Sequence, residues 1–260
     1  MGEARGQDIL GNIAVLKFDW VEKLASKKKY AARFLKEHKG VSTVLEKSGK
    51  FSGRLRTMKT RWLAGEKNLE ALYRENGCEF RLNVESCYFS ARLASERLDV
   101  AKLVKKNERV LVLFGGVAPF AIVIAKLSGA KRVVSVELGR ECSKYAEINV
   151  KRNKLQDRVE IVQGDVRKVL PKMKEKFDRI VMARPNLKDS FLDVAFLRVK
   201  KNGWIHYYGF YNESELGEME KLILEEAKKA KKRVKILGVK KAGDIGMRKY
   251  RYRADLKVLN

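Results

Sequence analysis

Three cysteines, Cys78, Cys87 and Cys142, are all that this 260-residue chain contains. They are far apart, odd in number and form no C-x-x-C pair, so a zinc ribbon or a dithiol redox centre has no ligands; reduced packing thiols and no metal are expected. No apolar run approaches the roughly 20 residues that a membrane-spanning helix needs. The amino terminus, MGEARG, has neither a signal-peptide core nor the hydroxyl residue of a myristoylation site. A cytoplasmic protein without a membrane partner is expected, and a monomer. Acidic side chains are also few, 32 against 58 Lys and Arg, which leaves a formal charge of +26. Such a surface carries a strong positive potential and suits a polyanionic partner. Only three glutamines stand beside abundant Lys, Arg and Glu, a balance that fits a heat-adapted source. Repeats, low-complexity tracts and Pro-rich linkers are absent.

What is present divides near residue 100. From residue 109, short β-branched runs alternate with amphipathic stretches, the pattern of a parallel sheet with helices on both faces. RVLVLFG, KRVVSVEL, RVEIVQGD, FDRIVMAR and GWIHYYGFY predict strands starting at 109, 131, 158, 177 and 203. PFAIVIAKLSGA, CSKYAEINVKRN, VRKVLPKM and KDSFLDVAFLRV predict the crossover helices. A long helix over roughly 213–232 follows, with Asn212 or Ser214 as its N-cap and acidic residues in its first turn. VKILGVKKAG and RYRADLKVL then come with no helix between them. A last helix and two hairpin-linked strands end the seven-stranded, mostly parallel sheet of the class I (Rossmann-like) methyltransferases, with the last strand antiparallel. The α/β domain is expected over 101–260 and a small α+β recognition domain over 1–100. In the latter, ILGNIAVLKF predicts a strand and VEKLASKKKYAARFLKEH a basic helix. STVLEK, GRLRTMKTRWLAG and EFRLNVESCYFS predict a small antiparallel sheet, with a turn at the NGC of 76–78 between the last two strands.

RVLVLFGGVAPF is a strand that breaks into small residues just before a helix, which places backbone N–H groups at the carboxyl edge of the sheet. Gly115 and Gly116 permit close approach of a ligand. Alone they are weak evidence, because any tight strand-to-helix turn uses glycine. Glu137 ends the next strand about 20 residues on, where an acid accepts hydrogen bonds from ribose hydroxyls. Asp165 ends the third strand and is placed to meet an adenine amino group. Three strand ends in this order point to a nucleoside cofactor.

The stretches GRLRTMKTRWLAGE, ENGCEFRLNVESCYFSARLASER, VLVLFGGVAPFAI, GDVRKV, FDRIVMARP and GWIHYYGF together resemble the archaeal and eukaryotic tRNA (guanine-37-N1)-methyltransferases. The similarity runs from about residue 8 to the carboxyl terminus, and a separate amino-terminal tRNA-elbow domain is not seen. The resemblance implies S-adenosylmethionine as cofactor and a tRNA anticodon loop as substrate. Methylating guanine N1 requires loss of a proton whose pKa lies far above neutrality, so a base near N1 and a cation near O6 are needed. By the resemblance these are Glu96 and Arg56. Cofactor contacts are expected at Tyr88, Phe114, Gly115, Gly116, Val117, Pro119, Glu137, Leu138, Asp165 and Val166. RNA or substrate contacts are expected at Arg54, Arg92 (or Arg92 braces Glu96), Arg184, Pro185, Asn186, Arg248, Lys249 and Tyr250. Without the resemblance, Glu96 reads as a helix-start acid that favours the dipole, and Arg56 as one of several basic residues on a solvated strand.

The family pattern is broken at three places. Val112 stands where the first strand normally carries an acid, Ala118 where a glycine follows the valine, and Ala183-Arg184-Pro185 where an N-x-P motif orients the guanine; Asn186 could stand in for that asparagine. Loss of one orienting group costs on the order of hundredfold in rate. Aminocarboxypropyl transfer, as in a sister family of wybutosine synthesis that also lacks N-x-P, and a tRNA-binding chain with impaired catalysis both stay open. Four basic clusters, SKKKYAARFLKEHK, GKFSGRLRTMKTRW, KKAKKRVK and RKYRYR, supply phosphate contacts, and Trp62, Tyr250 and Tyr252 supply stacking surfaces.

Overall fold

The computed structural model describes residues 4–49, 52–184, 186–246 and 249–260. In chain order its first part contains β1 (Gly6–Leu10), β2 (Ile13–Lys17), α1 (Leu24–Glu37), β3 (Thr43–Lys47), β4 (Thr60–Gly65), β5 (Glu70–Glu75), β6 (Cys78–Asn83) and α2 (Ala94–Leu103). The second contains β7 (Arg109–Leu113), α3 (Pro119–Leu127), β8 (Arg132–Glu137), α4 (Arg140–Arg152), β9 (Val159–Gln163), α5 (Val166–Val169), β10 (Phe177–Met182) and α6 (Leu192–Arg198). It ends with β11 (Val199–Tyr211), α7 (Leu216–Lys229), β12 (Val234–Gly246) and β13 (Lys249–Val258).

The large sheet has the order β12-β13-β11-β10-β7-β8-β9. β13 runs antiparallel to both neighbours, and the pairings among β11, β10, β7, β8 and β9 are all parallel. This is the seven-stranded class I arrangement expected. The chain leaves β7 in one direction toward β9 and returns on its other side at β10, so a crevice opens between the carboxyl ends of β7 and β10. The central strands read as unbroken apolar runs because both faces are covered. On one face β10 and β11 pack against α6 and α7 through Ile180, Phe196, Ile205 and Ile223; on the other, α3 buries every side chain from Phe120 to Ala125. Asn212 caps the 3-10 turn that leads into α7 through a capping box with Glu215.

The first part differs from expectation in four places. ILGNIAVLKF is a hairpin rather than one strand: Gly11 turns the chain at φ 57°, and a Cβ there would lie 1.7 Å from the Leu72 carbonyl oxygen. β5 is an additional strand, and the turn at Asn76 and Gly77, both at positive φ, joins β5 to β6. Strands β1 to β4 form a mixed sheet, because α1 is a crossover that makes β2 and β3 parallel. In GRLRTMKTRWLAG only Thr60–Gly65 is strand; the residues before it make a turn pinned by the Ser52 to Thr57 bridge.

The β5–β6 hairpin is stitched to the large lobe. The Asn149 amide on α4 accepts from the Arg81 N–H at 2.7 Å and donates to the Arg81 carbonyl at 3.0 Å, while Asn153 does the same for Glu79. Phe80 is buried between hairpin and α3, where an aromatic side chain contributes several kcal/mol. A third apolar cluster, with Ile13, Val15, Leu45, Met58 and Leu82 beside Val117 and Cys142, joins the small sheet to the large lobe.

Candidate active site

A cavity lies at the carboxyl edge of β7, β8, β9 and β10. Its base is the turn after β7. Phe114, Gly116 and Ala118 all take left-handed backbone angles there, and Pro119 opens α3. Gly115 is required by contact: a Cβ would sit 2.1 Å from Ser135 Oγ on β8. Glu137, at the end of β8, accepts the Gly116 N–H through Oε2 and the Gly139 N–H through Oε1, each at 2.7 Å. Burial pushes its carboxyl above the usual range, against the pull of those backbone donors. Asp165 follows β9, caps α5 by accepting the Arg167 N–H at 2.9 Å, and accepts Arg54 Nη2 at 2.8 Å. The Arg54 bond is the main cause that holds Asp165 below the usual carboxylate range.

Arg54, Leu55 and Arg56 come from the turn before β4 and close the cavity from outside the large lobe. Arg56 is therefore a turn residue at φ 53°, not a strand residue, and its guanidinium lies 4.1 Å from the Tyr88 ring centroid. Burial lowers the Arg56 pKa from its ordinary value. At Tyr88 burial would raise the phenol, but Arg251 and Arg56 outweigh it and hold the phenol below its usual range. A second cavity, holding Lys17, Lys47, Arg92 and Asp8, adjoins the first and shares Arg56, Tyr88 and Arg251 with it.

Glu96 stands in the first turn of α2, buried, behind this wall. Its Oε1 accepts the Tyr208 hydroxyl at 2.6 Å and Arg253 Nη1 at 2.5 Å. Tyr208 lines the cavity; Glu96 does not. Next to it, Arg97 is fully buried, paired with Glu75, and donates to the Ser90 carbonyl at 3.0 Å.

Of the residues expected at the site, Arg54, Arg56, Tyr88, Phe114, Gly115, Gly116, Pro119, Glu137, Leu138, Asp165, Val166 and Arg184 line one cavity. Val117 corrects the expectation: its side chain is buried in the core beneath the small sheet and its carbonyl accepts from Asn149. Arg184 is also corrected as an RNA contact. Its guanidinium is buried and donates to the Tyr207 hydroxyl at 3.2 Å and to the carbonyls of Tyr208, Leu187 and Asp189, so it holds the loop after β10 in place. Arg92 does not brace Glu96; it pairs with Asp8 at 2.7 Å on the second cavity, and Arg253 takes the bracing position. Asn186 and Lys249 are exposed, and Tyr250 lies beneath Lys241, 3.5 Å from its ring centroid. Pro185 and Arg248 lie outside the described residues.

Sequence reasoning missed Arg251, Arg253 and Tyr208. The RKYRYR cluster looks like a solvated charge run, yet Arg251 and Arg253 are 7% and 5% exposed. Strand alternation puts 251, 253 and 255 on one charged face of β13, which by itself reads as the solvated face, yet that face turns inward as well. Val112 is fully buried and comfortable in β7, and Ala183 lines the cavity with no side-chain amide to offer. Among the described residues no group of His, Cys, Asp and Glu is arranged to hold a metal, and no helix is long and apolar enough to cross a membrane.

Comparison with known proteins agrees with this geometry. Residues 71–237 match the TRM5/TYW2 methyltransferase domain and residues 4–68 the TYW2 N-terminal domain. A Pyrococcus abyssi protein named tRNA (guanine(37)-N(1))-methyltransferase Trm5b is 37% identical over 253 residues, covering 96% of this chain and 74% of that one. A Nanoarchaeum equitans protein named tRNA (guanine(37)-N(1))/4-demethylwyosine(37)-methyltransferase Taw22 is 33% identical over 304 residues, covering 97% and 99%. The crystal structure of P. abyssi Trm5b superposes with a TM-score of 0.88 at 34% identity, covering 99% of this chain and 76% of that one. The chain belongs to the TRM5/TYW2 methyltransferase family.

Proposed function

We propose that this chain transfers a methyl group from S-adenosylmethionine to N1 of guanine 37 in a tRNA anticodon loop. The observation that carries this reading is the cavity at the β7/β10 crevice, walled by four strand ends of one lobe and closed by two arginines, Arg54 and Arg56, of the other. The names of both relatives support it.

The cavity suits the donor. Gly115 and Gly116 let a ligand reach the backbone, the Glu137 carboxylate keeps lone pairs for ribose hydroxyls beyond the two it uses, and Phe114, Leu138 and Val166 offer apolar walls to adenine with Asp165 at the rim. When bound, the sulfonium supplies a methyl group activated for attack. The chain's own residues position the guanine and handle its proton. Glu96 takes the N1 proton, and Arg56, held over Tyr88, stabilises the charge that grows on O6. On this reading residues 1–100 recognise the RNA and 101–260 hold the donor. The protein works as a monomer in the cytoplasm, with Arg54, Lys249 and Tyr250 near the RNA path.

The test is nucleoside mass spectrometry on a tRNA transcript with G37 after incubation with chain and donor. N1-methylguanosine is the expected product, and its absence sinks the reading. One observation favours a second reading: residues 4–68 match the TYW2 N-terminal domain. An aminocarboxypropyl adduct on residue 37 would establish it.

A further inference from the structure

Among the residues that line the cavity, Tyr208 is the one hydrogen-bonded to the Glu96 carboxylate. Tyr208 is on β11 and lines the cavity; its Oη donates to Glu96 Oε1 at 2.6 Å. Glu96 is not free to swing past it. The same carboxylate oxygen accepts Arg253 Nη1 at 2.5 Å, and Arg253 is fixed in turn by Asp255 through Nε at 2.8 Å and Nη2 at 3.1 Å. Asp255 accepts His206 Nδ1 at 2.6 Å, and His206 Nε2 lies 2.7 Å from Nη1 of Arg179, which is itself bonded twice to Glu108. Tyr208, His206 and Arg179 are each at most 2% exposed, so the chain of partners has little slack. Turning Glu96 into the cavity would leave the Arg253 guanidinium buried beside an emptied position.

Resting on the methyl-transfer reading above, we propose that Tyr208 is a catalytic residue that carries the guanine N1 proton from the cavity to Glu96. The N1–CH₃ bond forms and the sulfur–CH₃ bond breaks. The N1 proton passes to Tyr208 Oη while the phenolic proton passes to Glu96 Oε1. The positive charge of the sulfonium and the negative charge of the carboxylate both disappear, leaving a thioether, N1-methylguanine, a neutral phenol and the Glu96 carboxylic acid. That acid returns its proton to water by the same hydroxyl once the product has left.

A phenol is suited to this task because it donates one hydrogen bond and accepts others at the same oxygen. Burial, followed by the Glu96 charge, raises the Tyr208 pKa well above its ordinary value, so it relays while neutral rather than ionising. The charged groups around the pair are Arg253 and Asp255 on β13, His206 on β11, Arg97 with Glu75, Asp99 with Lys240, and Arg184. None of the other cavity-lining groups makes a bond to Glu96.

The test is Tyr208→Phe in the full chain, measured in single-turnover methyl transfer to tRNA across pH. At neutral pH the rate should fall about hundredfold. Dissociation constants for tRNA and for S-adenosylmethionine, read without turnover, should stay within about twofold, because the phenyl ring keeps its packing. The deficit should narrow as pH rises toward the ionisation of guanine N1 itself, since a base already deprotonated needs no relay. Glu96→Gln should show the same pH pattern, and the double variant should be no slower than either single one. A Tyr208→Phe rate within about threefold of wild type, or a deficit independent of pH and accompanied by weaker binding, overturns the relay and leaves Tyr208 as a brace. A wild-type chain that yields no methylguanosine overturns the underlying reading instead, so the two failures are told apart.

Discussion

Arg54 Nη2 and Asp165 Oδ2 lie 2.8 Å apart, joining the turn before β4 to the end of β9 across the mouth of the cavity. The Arg54 side chain is 61% exposed and that of Asp165 17%, so the pair is screened and adds little to stability. Its effect is local, on how long a ligand stays beneath it. Arg54→Ala is expected to raise the S-adenosylmethionine dissociation rate several-fold while shifting the melting temperature by less than about 1 °C. Stopped-flow displacement and thermal melting of the same samples check both parts.

Much of this site was legible beforehand because it sits where the chain obeys simple periodicities. The apolar runs ending at Leu113 and Glu137 are central parallel strands, and a central parallel strand announces its carboxyl end by the first polar or glycine residue; β9, ending at Gln163, is the edge strand beside them. What stayed hidden depends on pairing across long sequence distances. Arg253 and Glu96 are 157 residues apart, and nothing local marks Arg253 as buried rather than as one more base in RKYRYR. Arg184 was misread for a related reason, since a guanidinium that satisfies loop carbonyls and one that meets phosphate have the same local sequence. In the small domain β3 and β4 are antiparallel as the sequence predicts, but EFRLNVESCYFS pairs with β5 in a separate hairpin, and the α1 crossover adds β2 in parallel to β3, a long-range pairing with no local mark.

Gly115 and Ser135 show how closely the cofactor turn is packed on its neighbouring strand. Gly115→Ala places a methyl group 2.1 Å from Ser135 Oγ, although the backbone angle itself suits alanine. The expected cost is about 1–3 kcal/mol, typical of overpacking. Ser135→Ala in the same chain should recover part of it, whereas loss of donor binding should persist because the added methyl still narrows the cavity. Denaturant unfolding of the four-member cycle, with calorimetric titration of donor, gives the coupling.

Arg56 combines a cost and a use. Its φ of 53° is a left-handed conformation that disfavours side chains by about 1 kcal/mol or more. Arg56→Gly relieves that cost and loses a stacking contact of about 0.5–1 kcal/mol with Tyr88, so stability is expected to be unchanged or slightly higher. On the proposed mechanism turnover should fall by a factor on the order of 10²–10³, because the cation assigned to guanine O6 is gone. A variant that melts lower but turns over normally would contradict both halves.

The basic excess predicts a salt-led interface. Lys28 and Lys67 flank Trp62 at 5.9 and 5.5 Å from its ring, which makes a stacking surface bordered by phosphate-binding charge on the small sheet. If about six phosphates are contacted, tRNA affinity should drop by about a thousandfold between roughly 50 and 200 mM salt. Lys28→Glu should reduce the log–log slope by about one or more, and Trp62→Ala should weaken binding without changing the slope. Filter binding across a salt series measures both slopes.

His206 gives the fold a pH dependence of definite sign. Arg179 always donates, so it fixes His206 Nε2 as an acceptor and leaves the Nδ1 proton to donate to Asp255. Burial is the main cause that lowers the imidazole pKa below its ordinary value, and the Asp255 bond only partly opposes it. The unfolded chain therefore takes up a proton near pH 6.5, where the folded chain does not. Stability is unaffected by this group well above that pH and falls as pH drops through it, until the folded imidazole also protonates. The loss is at most about 1.4 kcal/mol per pH unit, or about 3–6 °C in melting temperature for a chain of this size. Asp255 does not titrate in this window, since His206 and Arg253 overcome the opposing effect of its burial and hold its carboxyl below the usual range. In His206→Gln an amide oxygen can accept from Arg179 and an amide N–H can donate to Asp255, without a titrating group. Melting curves between about pH 5 and 8 should show the wild type losing ground to the variant as pH falls. Parallel pH profiles for the two chains would mean that the imidazole titrates in the folded protein as it does in the unfolded chain, and a wild type that gains on the variant as pH falls would mean that it is held charged there.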